Sequence, residues 1–269
     1  MFNPASFAAS LARTAFAVFF ATACEPKLVV GTWSCPGSVD AGADAGLSPQ
    51  RTPISVPWST GFEDDFCGYA RVRGLCYNAG DASRDTVTSP VHSGRKAAAF
   101  RVTTGTTDGS SQTRCFRLGE LPERAYYGAW YYIPVAETDL NNWNLFYFAG
   151  GEDTGGQAHG LWDVSITTAA DGSLRLSVYD HLHNLWHQPA GVPALPIGSW
   201  FHIQFLLQRA RDATGAFALY QDGVLASEQT GLITDDSTYG QWYVGNLAIS
   251  LTPPESTLYV DDVSITSEL

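Results

Sequence analysis

Runs of alternating apolar and polar residues fill most of the chain after residue 95, and short stretches of Gly, Asp, Asn, Ser and Pro separate them. A period of two is typical of β-strands that bury one face. Asp171-Gly172 and Asp222-Gly223 mark hairpin turns, because both dipeptides tolerate positive φ. No stretch past residue 24 keeps a helical period, so the sequence predicts an all-β sandwich of two antiparallel sheets with little helix. The predicted strands are Lys96–Thr103, Thr113–Leu118, Tyr126–Ile133, Trp143–Ala149, Leu161–Thr167, Leu174–Asp180, Trp200–Arg209, Ala216–Gln221, Trp242–Leu247 and Thr257–Ile265.

The N-terminal 23 residues have the pattern of an export signal. Phe7–Ala23 is apolar and small apart from Arg13, and the small residues Ala21 and Ala23 fit signal-peptidase cleavage. Cys24 after two small residues also resembles a bacterial lipobox, so a lipidated Cys24 and simple secretion remain alternatives. No later run of apolar residues is long enough to span a bilayer, so membrane contact is expected only through such an anchor.

A spacer is predicted between the signal and the folded domain. Ser38–Pro57 consists of small residues, Asp and Pro, with almost nothing to bury, and such a segment gains too little to offset its ordering entropy. The chain therefore divides into a signal peptide (1–23), a flexible spacer (24–57) and one β-sandwich domain (58–269). The expected location is the bacterial cell surface or periplasm if Cys24 is lipidated, or secretion if it is not.

Four further cysteines agree with export into an oxidising compartment, where they predict two disulfides. Cys67 and Cys76 flank a short glycine-containing loop, which favours their pairing and leaves Cys35 with Cys115. No C-x-x-C spacing occurs, so zinc ligation is disfavoured.

The charge balance limits the class of partner. The chain has 27 acidic and 15 basic residues, a formal net charge of −12, whereas phosphate binding needs clustered Lys and Arg. We therefore expect no nucleic-acid partner. Nine aromatic residues lie between Tyr126 and Phe148, a density that suits stacking on the apolar faces of sugars.

Alternation also sorts side chains by face. Arg175, Tyr179 and His181 share the face opposite Leu174 and Val178. If the polar faces of several strands belong to one concave sheet, they line a groove. The residues expected there are Arg117, Tyr131, Tyr147, Asp163, Tyr179 and His181.

Several motifs in order point to a known fold family. The domain opens with GFEDDF (61–66), continues through HSGRKAAAFRV, YYGAWYYIP and GSWFHIQFLLQRARDATGAFALYQDGVL, and closes with LYVDDVSIT (258–266). This succession resembles the concanavalin A-like jelly rolls, particularly the heparin-lyase-like and alginate-lyase-like polysaccharide lyases and their laminin-G-like relatives. The resemblance covers most of residues 59–267 and implies a jelly roll and a polysaccharide partner. The same jelly roll carries lyases, hydrolases and lectins.

Two hydrolytic mechanisms are disfavoured by missing motifs. The E-x-D-x-x-E strand of laminarinase-type glycosidases is absent, as is the G-x-S-x-G elbow of serine hydrolases.

Elimination at a uronate needs a Tyr or His base and a cation or amide that stabilises the enolate. TRCFRLGEL, with Arg114 and Arg117, resembles the R-x-E-L strand of alginate-lyase-like enzymes with one extra residue. Their Q-x-H strand is absent, and His159, two residues after Gln157, is a substitute. The catalytic candidates are Arg114, Arg117, Tyr131, His159, Tyr179 and His181, and the substrate-binding candidates are Tyr147, Asp163, Arg175 and His183.

Two functions remain open: a lyase that cleaves a uronate-containing glycan by β-elimination, and a non-catalytic lectin or adhesion module. The resemblance also implies a structural Ca²⁺ between the opening and closing strands, with Glu63 and Asp261 or Asp262 as ligands; the alternative is that these acids merely terminate strands. No organic cofactor is expected, and the expected oligomeric state is a monomer.

Overall fold

The computed structural model describes residues 29–30, 35, 53–71, 74–105, 109–152, 158–188, 191–237 and 239–269. Within these ranges the chain forms sixteen strands and one four-residue helix, α1 (Cys67–Ala70). The strands are β1 (Val29–Val30), β2 (Trp58–Thr60), β3 (Gly74–Ala79), β4 (Ala82–Val87), β5 (Ala97–Thr103), β6 (Ser111–Glu120), β7 (Arg124–Tyr132), β8 (Thr138–Glu152), β9 (Ala158–Thr168), β10 (Leu174–Asp180), β11 (Leu185–His187), β12 (Trp200–Gln208), β13 (Gly215–Gln221), β14 (Val224–Leu232), β15 (Tyr239–Thr252) and β16 (Glu255–Thr266).

The strands form two antiparallel sheets. The front sheet has the order β1-β3-β6-β15-β8-β9-β10-β11, and the back sheet has the order β14-β13-β12-β7-β16-β5-β4, with β2 also paired to β16. Chain neighbours are often not sheet neighbours, as where β15 lies between β6 and β8. The predicted all-β sandwich with little helix is confirmed.

Large aromatic side chains fill the space between the sheets. Trp143, Trp162 and Trp242 of the front sheet are fully buried, as are Tyr127 and Phe205 of the back sheet. Trp242 and Phe148 both contact the Tyr127 ring, with centroids 5.0 and 4.9 Å away. Burial of this apolar area is the main force that holds the two sheets together. The outer face of the front sheet is left free for polar side chains.

The disulfide pairing differs from the predicted one. Cys35 bonds to Cys67, and Cys76 bonds to Cys115. Cys76 lies on β3 directly opposite Cys115 on β6, so the two Cα atoms are 4.0 Å apart. The predicted Cys67–Cys76 pair is wrong because α1 and β3 direct the two thiols to different partners, which the loop length alone does not reveal.

The folded domain takes in chain that precedes residue 58. Val29 and Val30 pair with β3, Cys35 is tied to α1 by its disulfide, and Ile54 is buried with its N–H bonded to the Glu120 carbonyl at 2.8 Å. Parts of the predicted spacer therefore pack on the sandwich. The predicted signal peptide, Cys24 and most of the spacer lie outside the described residues and stay predictions. In the described ranges, no helix has the length and apolar character needed to cross a membrane.

Candidate active site

A cleft of about 330 Å³ opens on the outer face of the front sheet. It crosses the central strands β6, β15, β8 and β9, and its far wall comes from the turn after β10. Its polar lining is Tyr77, Gln112, Arg114, Asn142, Asn144, Tyr147, Asp163, His181 and Tyr243. The cleft therefore brings together a cation, an imidazole beside a carboxylate, amides and phenols.

Arg114 supplies the cation at the base of the cleft. Its side chain is almost fully buried, and Nη2 donates a hydrogen bond to Oδ1 of Asn144 at 3.1 Å. The guanidinium also lies over the rings of Tyr147 and Tyr243, 5.2 and 5.7 Å from their centroids. The residue paired with Arg114 on β15 is Gly245, where a Cβ would lie 2.8 Å from the Arg114 Cα. The two aromatic rings and the Asn144 oxygen orient the guanidinium, and the lack of a side chain at Gly245 lets β15 lie close to the Arg114 backbone.

A β-bulge at Leu145 turns Asn144 toward Arg114. Asn144 and Phe146 pair with consecutive residues of β9, so Leu145 is the extra residue on β8. The bulge reverses the alternation, and Asn144 and Tyr147, three residues apart, therefore face the same cleft. Among the described residues, Nδ2 of Asn144 is buried without a hydrogen-bond partner. This amide is available to a ligand.

His181 and Asp163 form the other wall of the cleft. Nε2 of His181 lies 3.1 Å from Oδ1 of Asp163, without the alignment of a hydrogen bond. The Asp163 side chain is 4% exposed and that of His181 is 30% exposed, so the carboxylate lies beneath a ring that solvent reaches. A Cβ at Gly160 would lie 2.8 Å from the His181 ring, so the ring packs directly on the backbone of β9.

Tyr147 lies between these two groups. Burial raises the pKa of its hydroxyl to about 12; the Asp163 carboxylate raises it too, and Arg114 opposes the shift. The phenol therefore stays protonated at neutral pH and can donate a proton or a hydrogen bond. Its ring meets His181 edge-on, with centroids 5.8 Å apart.

The structure brings some of the predicted site residues together. Arg114, Tyr147, Asp163 and His181 line the cleft, and the Tyr179 ring lies beside His181 with centroids 4.7 Å apart.

Two predicted groove residues instead lie between the sheets, so the predicted placement of Arg117 and Tyr131 is wrong. Arg117 is three residues from Arg114 on the regular strand β6, and positions three apart face opposite sides of a strand. Its guanidinium lies over the Trp58 ring at 4.4 Å, and burial lowers its pKa to about 10. Tyr131 is fully buried and donates its hydroxyl to the Leu145 carbonyl at 3.1 Å, so it supports the bulge from behind.

The remaining predicted residues lie away from the cleft. His159 pairs with Asp236 near the end of β8, and Arg175 is bound to Asp171 at 2.9 Å in the hairpin turn before β10. His183 contacts the buried Asp180 at 2.6 Å. Each is held by a carboxylate of its own outside the cleft.

Sequence reasoning missed five polar residues of the lining. Tyr77 lies on β3, which was not predicted as a strand; Asn144 lies beside the bulge, and Asn142 just precedes the predicted strand 143–149. Gln112 and Tyr243 are in or next to predicted strands, and alternation from Arg114 and Trp242 would have placed both on the cleft face.

Solved structures of similar fold include polysaccharide lyases. The endo-β-1,4-glucuronan lyase from the fungus Trichoderma reesei is 18% identical with a TM-score of 0.57, over 70% of this chain and 88% of that chain. The marine PL-14 alginate lyase from Aplysia kurodai is 11% identical with a TM-score of 0.52, over 78% and 98%. The chain therefore shares the jelly-roll fold of these two lyases. The cellulose-induced protein Cip1 is also similar, at 16% identity and a TM-score of 0.52, over 78% and 97%.

At the level of sequence, no protein-family model and no curated protein matches the chain.

The predicted calcium ligands accept hydrogen bonds from the loop of residues 92–96. Glu63, Asp261 and Asp262 all accept hydrogen bonds from residues 92–96: backbone N–H groups donate to Glu63 at 2.6 and 3.1 Å and to Asp261 at 3.1 and 3.2 Å. His92 Nδ1 lies 2.7 Å from an Asp262 oxygen. Oxygens bound by N–H donors do not fit a cation site, and among the described residues no group of three or more acids, histidines or cysteines is placed to hold a metal ion. Calcium binding stays a prediction that this arrangement does not support.

Proposed function

We propose that the protein is an exported polysaccharide lyase that cleaves a uronate-containing glycan by β-elimination. The observation that carries the proposal is the meeting of Arg114, Tyr147 and the His181–Asp163 pair around one cleft. The fold is shared with a glucuronan lyase and an alginate lyase, and this likeness favours the same class of substrate.

Arg114 and Asn144 bind the uronate carboxylate. The guanidinium neutralises its charge, and the free Nδ2 of Asn144 donates to the second oxygen. Negative charge grows on this carboxylate when the neighbouring C5 proton leaves, so donors fixed at this position stabilise the transition state more than the bound sugar.

His181 takes the C5 proton, and Tyr147 donates its hydroxyl proton to the departing glycosidic oxygen. The C5–H and C4–O bonds break, and a C4=C5 double bond forms in the sugar that carries the carboxylate. Asp163 stabilises the imidazolium, since its carboxylate lies 3.1 Å from the ring nitrogen. The raised pKa of Tyr147 keeps the proton donor loaded at neutral pH.

Export rests on the two disulfides and the N-terminal signal pattern. Disulfides persist in oxidising compartments, which is compatible with secretion or a surface lipoprotein. A polymeric substrate outside the cell requires an exported enzyme, and the lipobox-like Cys24 would keep that enzyme at the cell surface.

The test is ultraviolet absorbance of unsaturated product from glucuronan and alginate, with a neutral β-glucan as the negative control. Arg114→Ala, His181→Ala and Tyr147→Phe should each lower elimination by at least about 100-fold. Arg124→Ala is the matched control, because this exposed arginine lies over Tyr126 away from the cleft, and it should keep full activity.

Full activity in both Arg114→Ala and His181→Ala would show that the assigned roles are wrong. A wild-type protein that binds these polymers but releases no unsaturated product would establish the lectin alternative instead.

A further inference from the structure

Aromatic side chains on the cleft face of the front sheet occupy directly paired positions on neighbouring strands. Tyr243 on β15 pairs with Phe116 on β6 and with Tyr147 on β8. Across β9 and β10 the same level continues to Tyr179, which pairs with Trp186 on the edge strand β11. Register alone therefore places a row of rings across the sheet, perpendicular to the strands.

Ring contacts make this row continuous. The centroids are 4.9 Å apart for Phe116 and Tyr243 and 5.3 Å for Tyr243 and Tyr147. His181 fills the gap above β9, 5.8 Å from Tyr147 and 4.7 Å from Tyr179. Tyr179 and Trp186 complete the row at 4.7 Å. Neighbouring strands lie about 4.8 Å apart, so the row extends for roughly 24 Å from β6 to β11.

The row continues beyond the residues that line the cleft. Trp186 is 42% exposed, and neither it nor Tyr179 belongs to the lining of the cleft. An indole left open to water at the end of a line of rings offers an apolar face that a sugar ring can cover.

We propose that Tyr179 and Trp186 form a distal sugar subsite, so that the protein binds an internal stretch of an extended chain. The subsite rests on the proposed function, because the reacting sugar is taken to lie between Arg114 and His181. Trp186 stands three strand spacings from Tyr147, about 14 Å, so it contacts a sugar several units from the bond that breaks. Chains too short to reach it lose that contact, and the cleft thus favours polymers.

Trp186→Ala tests the subsite, and Leu185→Ala is the matched control. Leu185 is 50% exposed on the same short strand, but adjacent positions on a strand face opposite sides. Trp186→Ala should raise KM for glucuronan or alginate by about 5- to 10-fold and leave kcat unchanged. Cleavage of their trisaccharides should not change, and Trp186→Phe should retain most of the affinity.

Retardation of the protein in gels that contain either polymer measures the same subsite without catalysis. Loss of retardation in Trp186→Ala alone, with an unchanged melting temperature, supports the subsite. Suppose that wild type cleaves the polymers. If Trp186→Ala then has the wild-type KM for polymers, or if its cleavage of trisaccharides falls as much as its cleavage of polymers, the subsite is wrong while the lyase proposal stands. If wild type neither cleaves nor binds either polymer, both proposals are overturned.

Discussion

At the scale of single residues, Glu137 is a carboxyl whose charge the fold disfavours. It is 4% exposed, and among the described residues its Oε2 has no hydrogen-bond partner. Burial raises its pKa from 4.5 to about 7, against a smaller opposing hydrogen bond from its own backbone N–H. The folded state therefore holds this proton more tightly than the unfolded chain does.

Glu137→Gln should make the protein more stable at pH 8 than wild type. A raised pKa in the folded state gives stability that is present below pH 4.5 and is lost as the pH rises through about 7. Gln keeps the shape without the charge, so the gain should be about 1 kcal/mol at pH 8 and absent at pH 4. Denaturant melts at both pH values measure it, with the exposed Glu123→Gln as control. Equal gains at both pH values would mean that the charge is not the cause.

At the scale of elements, β9 positions the His181 ring because the ring packs directly on the backbone of Gly160, which has no side chain. A methyl group there would lie within 3 Å of the ring, so the imidazole must move away.

Gly160→Ala should lower elimination by about 10- to 100-fold, because small displacements of a catalytic group are costly. In a His181→Ala background the same substitution should have no further effect on activity. The four kinetic constants of this double-mutant cycle measure the coupling. Additive losses would show that Gly160 acts independently of His181.

The bulge on β8 is supported by a residue of β7 in the back sheet. It turns Asn144 toward the guanidinium of Arg114, while Tyr131 of the back sheet satisfies the Leu145 carbonyl at the bulge. A residue between the sheets thus supports the geometry of a site on the outer face.

At the scale of the whole molecule, the net charge of −12 opposes an anionic polymer at long range. Arg114 attracts a uronate only at short range and is shielded from salt by its burial.

Raising the ionic strength from about 0.01 to 0.15 M shortens the Debye length from about 30 to 8 Å and so weakens this repulsion. The value of kcat/KM on glucuronan or alginate should therefore increase several-fold. The value of kcat at saturation should stay constant, because repulsion acts on encounter. Initial rates across a NaCl series measure the effect. A steady fall of kcat/KM with salt would show that local positive charge dominates the encounter.

The sequence by itself determined ten of the sixteen described strands, and within them which side chains share a face. Alternation is a local property of the chain, so it placed Tyr179 opposite Val178 and grouped Tyr131 with Tyr127 correctly. Where both faces of a strand are aromatic, as on β7, alternation does not tell which one meets the other sheet. Only the packing of the two sheets decided that Tyr131 and Arg117 face inward.

Contacts between residues distant in sequence decided the disulfide pairing and the assembly of the cleft. Cys76 pairs with Cys115 because β3 and β6 are neighbours in the sheet, and Asn144 reaches Arg114 because the bulge at Leu145 reverses the alternation. Both depend on strand register, which is set by partners distant in sequence and leaves no local signal. Arg114, Tyr147, Asp163 and His181 were therefore predictable as candidate site residues, but their meeting in one cleft follows from the order of β6, β15, β8, β9 and β10 in the sheet.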